Sequence, residues 1–261
     1  MLKKIVSRLA RNMGYRLTPM EAAETDITKQ YPDFFEPEFW EIYRLCKPYT
    51  MTSVERMYSL FRSVSYVLEA RIPGDFVEAG VWRGGSSMVI ASMLRKRGIT
   101  DRKIFLYDTF EGMSEPTEAD VDFAGARADV LLKENESNKE ESVWCLADLA
   151  DVQQNMRRTA LPESQVVYVK GKVEDTIPGT IPAGAIALLR LDTDWYESTR
   201  HELEHLYPRL SANGVLIIDD YGHWGGCRKA VDEYFAGKAP LLLHRVDYTG
   251  RAGIKTEAAA F

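Results

Sequence analysis

The 261-residue sequence has few cysteines, no excess of basic charge and no long apolar run. Cys46, Cys145 and Cys227 are odd in number and form no C-x-x-C pair, which argues against a disulfide framework and a cysteine-rich zinc site. A reducing cytoplasm fits this cysteine usage best. With 33 basic against 39 acidic side chains, the net charge of −6 argues against a nucleic-acid-binding protein. No segment offers the roughly 20 apolar residues of a membrane span.

The N-terminus combines apolar residues at helical spacing with lysines and arginines over residues 1–16. Arginines interrupt each apolar run before it reaches the roughly 7 to 15 residues of a signal-peptide core. This basic amphipathic pattern fits attachment to an anionic membrane surface, which would place the protein at the inner membrane surface. It also fits a helix packed on its own domain or on a second subunit. We expect a homo-oligomer.

The rest of the chain has the composition of a globular protein, with 45% hydrophobic residues. From Pro73 onward, short apolar runs alternate with helical patterns, which predicts βαβ units and a mainly parallel sheet over 73–261. Two helices form a predicted N-terminal cap within 1–72. A polar insertion at 114–142 is predicted to bury no core and to act as a mobile lid. The predicted strands cover 75–79, 103–107, 165–170, 185–191 and 214–218, and the predicted helices cover 37–46, 53–70, 86–96, 144–158 and 198–207.

A glycine-rich turn directly follows the first predicted strand. Glu78 lies two residues before Gly80, and Gly84 and Gly85 precede a helix, so backbone can approach a ligand beside the positive end of that helix. The spacing G-x-x-x-G-G differs from the dinucleotide pattern G-x-G-x-x-G. Asp108 ends the next strand, where nucleoside-binding folds place a carboxylate that accepts the ribose hydroxyls. The two features indicate a nucleoside cofactor, and a turn that serves packing alone is the alternative.

Two pairs of aspartates follow two later apolar strands. Asp192 and Asp194 end one strand, and Asp219 and Asp220 end the other, at the sheet edge where open α/β sheets bind ligands. Four converging carboxylates would repel one another unless a cation lay between them. Oxygen ligands favour Mg²⁺, Mn²⁺ or Ca²⁺ over zinc. The alternative is that one or more of these aspartates caps a helix.

At these residues the chain resembles the macrocin O-methyltransferase family, the sugar O-methyltransferases of macrolide and aminocoumarin biosynthesis. The resemblance spans about residues 48 to 238 and implies a class I methyltransferase fold, with a Rossmann-like, mainly parallel sheet and helices on both faces. It also implies S-adenosylmethionine and Mg²⁺ (or Mn²⁺) as cofactors. The matching stretches are P-Y-T-M-T at 48–52, G-D-F-V-E through G-G at 74–85, Y-D-T-F-E-G at 107–112, L-D-T-D at 191–194 and I-I-D-D-Y at 217–221.

The resemblance also implies roles for individual residues. The turn from Glu78 to Gly85 would surround the methionine part of the cofactor, Asp108 would bind its ribose, and Gly171 would lie near its adenine. Asp194 looks like the general base. The metal ligands would be Asp192, Asp219 and Asp220. The full set of cofactor-binding residues would be Thr50, Met51, Glu78, Gly80, Val81, Trp82, Arg83, Gly84, Gly85, Asp108, Thr109, Gly171 and Lys172.

The sequence therefore predicts methyl transfer to a hydroxyl of a sugar, in a secondary-metabolite glycoside or a bacterial glycan. A catechol-type O-methyltransferase acting on a phenolic diol is the alternative within the same reaction class. An NAD-dependent sugar oxidoreductase is disfavoured because the dinucleotide pattern is missing. A non-catalytic cofactor-binding protein is disfavoured because all four carboxylates are present.

Overall fold

The computed structural model describes residues 27–140, 142–239 and 241–256. The chain forms two compact units, Met1–Trp40 and Glu41–Phe261. In the described part of the first unit, the indole of Trp40 donates to the carbonyl oxygen of Phe34 at 2.9 Å. The basic helix predicted over 1–16 lies outside the described residues. Within those residues, no helix is both long and apolar enough to cross a bilayer.

The described residues of the second unit contain a mainly parallel sheet, as the sequence predicts, and it has seven strands where five were predicted. The strands are β1 (Asp75–Ala79), β2 (Ile104–Asp108), β3 (Val166–Lys170), β4 (Ile186–Leu191), β5 (Leu210–Ile218), β6 (His244–Arg245) and β7 (Arg251–Ile254). Their order is β3-β2-β1-β4-β5-β7-β6, in which β7 pairs antiparallel with both β5 and β6 and the other pairs are parallel. The helices are α1 (Pro37–Cys46), α2 (Val54–Glu69), α3 (Gly85–Lys96), α4 (Ala128–Glu134), α5 (Leu149–Arg157), α6 (Val173–Thr176), α7 (Tyr196–His205) and α8 (Gly225–Phe235).

The strand order explains where a ligand can bind. The chain leaves β1 toward β2 and β3 on one side and returns to β4 and β5 on the other, so the connections diverge between β1 and β4. In open α/β sheets, such a divergence opens a crevice at the carboxyl ends of the strands. The central strand β4 is buried along its whole length, as expected of a strand covered on both faces, yet it contains Arg190.

Two predicted boundaries differ from the structure for local reasons. The last parallel strand begins at Leu210, so Asn213 and Gly214 lie inside β5 and do not separate two elements. Asn213 adopts a φ of 63°, and the register with β4 shifts in this region, so the turn-forming pair produces an irregularity in the strand. The helix predicted over 144–158 begins only at Leu149, because the Asp148 side chain accepts from the Asp151 N–H and caps it.

The insertion at 114–142 packs onto the rest of the unit. Its helix α4 buries Ala128 and Leu132 in the main hydrophobic cluster, so the prediction that this segment buries no core was wrong. Asp120 is 1% exposed, and its Oδ1 accepts from the Tyr196 N–H at 2.8 Å at the start of α7. The Trp195 indole donates to the carbonyl oxygen of Ser114 at 3.0 Å. A few well-placed buried groups anchor a segment whose overall composition is polar.

Asp120 is the polar anchor that a substitution can test. We expect Asp120→Ala to lower the free energy of unfolding by about 1 to 3 kcal/mol, because the buried Tyr196 N–H loses its acceptor. Proteolytic cleavage within 114–142 should become faster, as limited proteolysis would show. Asp122→Ala is the matched control, since Asp122 Oδ1 accepts only from Ala124 and Ala126 inside the insertion. Equal cleavage rates for the two variants would rule out Asp120 as the anchor.

Candidate active site

A cavity of about 400 Å³ lies at the carboxyl ends of β1, β2, β4 and β5. It brings together most of the predicted site residues, from the glycine-rich turn and from both aspartate pairs. Those that line it are Thr50, Met51, Glu78, Gly80, Val81, Trp82, Asp108, Thr109, Gly171, Lys172, Asp192, Asp194, Asp219 and Asp220. The glycine-rich turn and the two aspartate pairs therefore line the same cavity.

Three predicted cofactor-binding residues, Arg83, Gly84 and Gly85, are not among the cavity-lining residues. Arg83 forms a two-pronged ion pair with Asp151 at 2.8 and 3.0 Å, and its guanidinium lies 5.2 Å from the ring centroid of Tyr49. Gly84 is the N-cap of α3. A Cβ on Gly85 would lie 2.5 Å from the Tyr49 carbonyl oxygen, so only glycine lets that segment pack here. These residues support the cavity wall that Tyr49 lines.

Asp108 organises the turn after β1. Its Oδ2 accepts from the Val81 and Trp82 N–H groups at 2.7 and 3.2 Å, and its Oδ1 accepts from Phe110 at 2.7 Å. Burial raises the pKa of Asp108, although these amides partly offset the increase. The Thr109 hydroxyl lies 3.4 Å from the same Oδ1, and Asp108 lines the cavity with these contacts in place.

Gly80 allows the ends of β1 and β4 to lie against each other. It adopts a φ of +80°, and a Cβ there would lie 1.9 Å from the Asp192 carbonyl oxygen. Any other residue would force the two strand ends apart. The close approach sets the glycine-rich turn beside the first aspartate pair.

A buried guanidinium connects three of the strand ends. Arg190 is 2% exposed, and its Nη1 donates to Glu78 and Asp192 while its Nη2 donates to Asp219, each at 2.6 Å. Ser87 donates to the other carboxylate oxygen of Glu78. Burial raises the pKa of Glu78, and the charge of Arg190 opposes that shift. Such a buried pair persists only with this degree of hydrogen bonding.

Asp219 is shared between two guanidinium groups. Arg56 of α2 donates to Asp219 Oδ2, on the oxygen that Arg190 leaves free, and pairs with Asp247 at 3.0 Å. Sequence analysis missed both arginines. Arg190 had a signal, since it is a lone charge inside an apolar strand, but Arg56 is one of several charged residues on an amphipathic helix.

The remaining aspartates form an acidic trio, Asp192, Asp194 and Asp220. One carboxylate oxygen from each lies within 4.8 Å of the others, and all three side chains are half-buried. Asp219 is not part of this trio, in contrast to the ligand set that the resemblance implies. The trio does not cap the helices that follow it, because the N-cap residues of α7 and α8 are Trp195 and Trp224 and neither helix has a side-chain cap.

The carboxyl groups around the trio outnumber the neighbouring positive charges. Burial and the neighbouring carboxylates raise the pKa of Asp192 and Asp220 well above the usual range, and they raise that of Asp194 to about 7. Asp220 Oδ2 is buried, and within the described residues no donor reaches it. The trio with Glu78 and Asp219 makes five carboxylates against the two guanidinium groups of Arg56 and Arg190.

Two thiols lie close to this chemistry and are not nucleophiles. Cys145 lines the cavity, and burial together with nearby carboxylates raises the pKa of its thiol. Cys227 is buried in α8, and burial raises the pKa of its thiol well above the usual range. The sequence analysis assigned no nucleophile, and the structure gives no reason to add one, because the thiolate is the reactive form.

The sheet order and the cavity at its carboxyl edge define a class I methyltransferase. The structure of the O-methyltransferase NovP has this fold, with a TM-score of 0.70 and 33% identity over 80% of this chain and 83% of that one. The family model described as macrocin-O-methyltransferase (TylF) matches residues 44–252, so the chain belongs to that family. It is an S-adenosylmethionine-dependent O-methyltransferase, as the sequence predicts.

Two further relatives come from actinomycetes. The chain is 41% identical over 214 residues to the 8-demethyl-8-(2,3-dimethoxy-alpha-L-rhamnosyl)-tetracenomycin-C 4'-O-methyltransferase of Streptomyces olivaceus, covering 81% of this chain and 77% of that protein. It is 37% identical over 186 residues to the mycinamicin III 3''-O-methyltransferase of Micromonospora griseorubida, covering 71% and 70%.

Arg190 provides a direct test of the buried network. Arg190→Leu leaves Glu78 and Asp219 buried without this partner, and we expect the free energy of unfolding to fall by about 3 to 5 kcal/mol. Arg200→Leu is the control, because Arg200 forms an exposed pair with Glu197, and it should cost less than about 1 kcal/mol. Urea titrations of both variants measure the difference. Equal losses would show that the network does not stabilise the fold.

Proposed function

We propose that this enzyme methylates a sugar hydroxyl of a glycosylated small molecule, with the help of a divalent cation. The observation that carries the proposal is the acidic trio, which shares one cavity with the glycine-rich turn. The name of the Streptomyces olivaceus relative includes a rhamnosyl group, which supports a sugar as the acceptor.

The cofactor would occupy the part of the cavity between the turn after β1 and the end of β3. Glu78 and the turn would lie beside its methionine part, and Asp108 with Thr109 would bind the ribose. Gly171 and Lys172 would lie near the adenine. Thr50 and Met51 would close the same space from the segment before α2, since all these residues line one cavity.

A divalent cation fits the donors that the structure brings together. Asp192 and Asp220 would hold it, because they supply neighbouring carboxylate oxygens and Asp220 Oδ2 lacks a donor. When bound, the cation lowers the pKa of a chelated hydroxyl and orients it. Asp219 would take a positioning role, since both its oxygens already accept from arginines.

Asp194 would accept the proton. In the cation-free site, burial raises the pKa of Asp194 to about 7, so this carboxylate is a stronger base than an exposed one. The acceptor oxygen attacks the sulfonium methyl group, the sulfur–carbon bond breaks, and the hydroxyl proton moves to Asp194. The products are a methyl ether and S-adenosylhomocysteine. The close placement of oxygen and methyl carbon supplies much of the remaining acceleration.

The proposals for cellular location and assembly rest on the sequence alone. We propose a cytoplasmic homo-oligomer. Contact of residues 1–16 with the inner membrane surface stays a prediction.

Calorimetry with S-adenosylhomocysteine tests the cofactor site. We expect binding of S-adenosylhomocysteine and none of NAD, and a loss of about 2 to 4 kcal/mol in binding free energy for Asp108→Ala, which removes charged hydrogen bonds. Asp75→Ala is the control, because Asp75 also accepts from a backbone amide, at the opposite end of β1. An unchanged affinity in Asp108→Ala would remove Asp108 from the site.

Chelation and two variants test the cation and the base. EDTA should abolish transfer to a glycoside acceptor, and Mg²⁺ or Mn²⁺ should restore it. We expect Asp194→Asn to lower kcat by about 10² to 10⁴ without changing the Mg²⁺ requirement, as loss of a general base does. Asp220→Asn should need more Mg²⁺.

The reverse pattern would reassign these residues. If Asp194→Asn kept its kcat but needed far more Mg²⁺, Asp194 would be a ligand and not the base. Full activity in excess EDTA would remove the cation from the mechanism.

A further inference from the structure

Three aromatic side chains from separate segments meet next to the cavity, and we refer to them as the aromatic platform. Phe123 comes from the insertion, His223 follows β5, and Tyr248 lies between β6 and β7. The Phe123 ring centroid lies 5.3 Å from that of His223 and 6.0 Å from that of Tyr248. His223 Nδ1 and the Tyr248 hydroxyl oxygen are 3.1 Å apart, within hydrogen-bond distance.

The platform is exposed although it is largely apolar. Phe123 is 68% exposed and Tyr248 is 53% exposed, so these contacts bury little of either ring. His223 and Tyr248 line the same cavity as the acidic trio. A contiguous apolar surface beside a polar cleft is typical of a binding site, whereas a single exposed phenylalanine would not be.

The backbone fixes the platform relative to the trio. The His223 N–H donates to the Asp220 carbonyl oxygen at 3.0 Å. One tight turn of the backbone therefore joins His223 to Asp220 of the trio. On the other side, Asp122 forms a bridge with Trp224, and buried Asp120 anchors the same segment. A ligand on the platform would therefore lie at a set distance from Asp194 and Asp220.

The charge at this end of the cavity disfavours an anionic ligand. Among the described residues that line the cavity, the cationic side chains are Arg56 and Lys172. Arg56 is already paired with Asp219 and Asp247. Arginine and lysine donors strengthen the binding of a diphosphate, and at this end of the cavity Arg56 already serves two carboxylates.

We propose that the aromatic platform binds the pyranose ring of a neutral glycoside and thereby presents one of its hydroxyls to Asp194. A pyranose has an apolar C–H face, which suits the rings of Phe123 and Tyr248, and hydroxyl edges, which suit the imidazole and the phenol. This inference rests on the proposed sugar O-methyltransferase activity and adds the side chains that would hold the acceptor sugar.

Neutral glycosides that carry a reporter group allow a direct test. The probes are the p-nitrophenyl glycosides of L-rhamnose, D-glucose and D-mannose, with dTDP-L-rhamnose as the anionic comparison. Saturation-transfer NMR in the presence of S-adenosylhomocysteine and Mg²⁺ reports binding without turnover, and initial rates give KM and kcat. We expect saturation of ring C–H protons in at least one neutral glycoside and weaker binding of dTDP-L-rhamnose.

Variants then locate the binding surface. Phe123→Ala should raise KM about tenfold and leave kcat within about twofold of the wild-type value. The substitution removes the phenyl ring, whose apolar surface would cover one face of the sugar. Tyr248→Phe keeps the ring but loses the hydroxyl, so its effect should be smaller. Val130→Ala is the matched control, since Val130 is an exposed apolar residue of the same insertion that is not part of the platform. Affinity for S-adenosylhomocysteine should be unchanged in all three.

Each contrary result has its own meaning. Equal KM values for Phe123→Ala and Val130→Ala would overturn the platform and leave the sugar O-methyltransferase activity intact. Binding of dTDP-L-rhamnose as tight as that of the glycosides would overturn the preference for neutral acceptors. Wild-type protein that binds S-adenosylhomocysteine but no glycoside, and methylates a phenolic diol, would overturn both the platform and the proposed function.

Discussion

The contacts of the Arg190 guanidinium hold the catalytic edge of the sheet together. Arg190 lies on β4, Glu78 on β1 and Asp219 after β5, so one side chain links the ends of three parallel strands. Without a central positive charge, the buried carboxylates would either repel one another or take up protons. With it, Glu78 and Asp219 each have a guanidinium partner, whereas carboxyl groups outnumber guanidinium groups around the trio beside them. The arrangement is set before any ligand arrives, which is how an active site avoids reorganisation during the reaction.

The insertion gives the second half of the site a comparable rigidity. Asp120 ties it to the start of α7, and α4 contributes Ala128 and Leu132 to the main hydrophobic cluster. The side of the cavity that would meet the acceptor is therefore built on packed structure. Because α7 also follows directly on Asp194, the same helix terminus connects the acceptor side to the acidic trio.

Much of this fold could be predicted from local patterns, because β1 to β4 are apolar runs that precede conspicuous polar residues. The turn after β1 and both aspartate pairs could be predicted for the same reason, since their chemistry is visible at short spacing. The partners of Asp219 could not, because Arg56 and Arg190 lie 163 and 29 residues away in sequence and meet it only through the strand order. Spacing alone also could not show which aspartate stands apart from the others, since Asp219 is held by the two arginines whereas Asp192, Asp194 and Asp220 lie together.

The protonated state of Cys145 has a consequence for the lifetime of the enzyme. S-adenosylmethionine is an alkylating agent, and a sulfur in the cavity that binds it is at risk of being methylated. Burial and the surrounding carboxylates raise the pKa of the Cys145 thiol, so it stays protonated at neutral pH and is a weak nucleophile. The carboxylates, one of which would take the proton of the acceptor hydroxyl, thus disfavour a thiolate next to them, and this lowers the reactivity of the Cys145 sulfur toward a methyl donor.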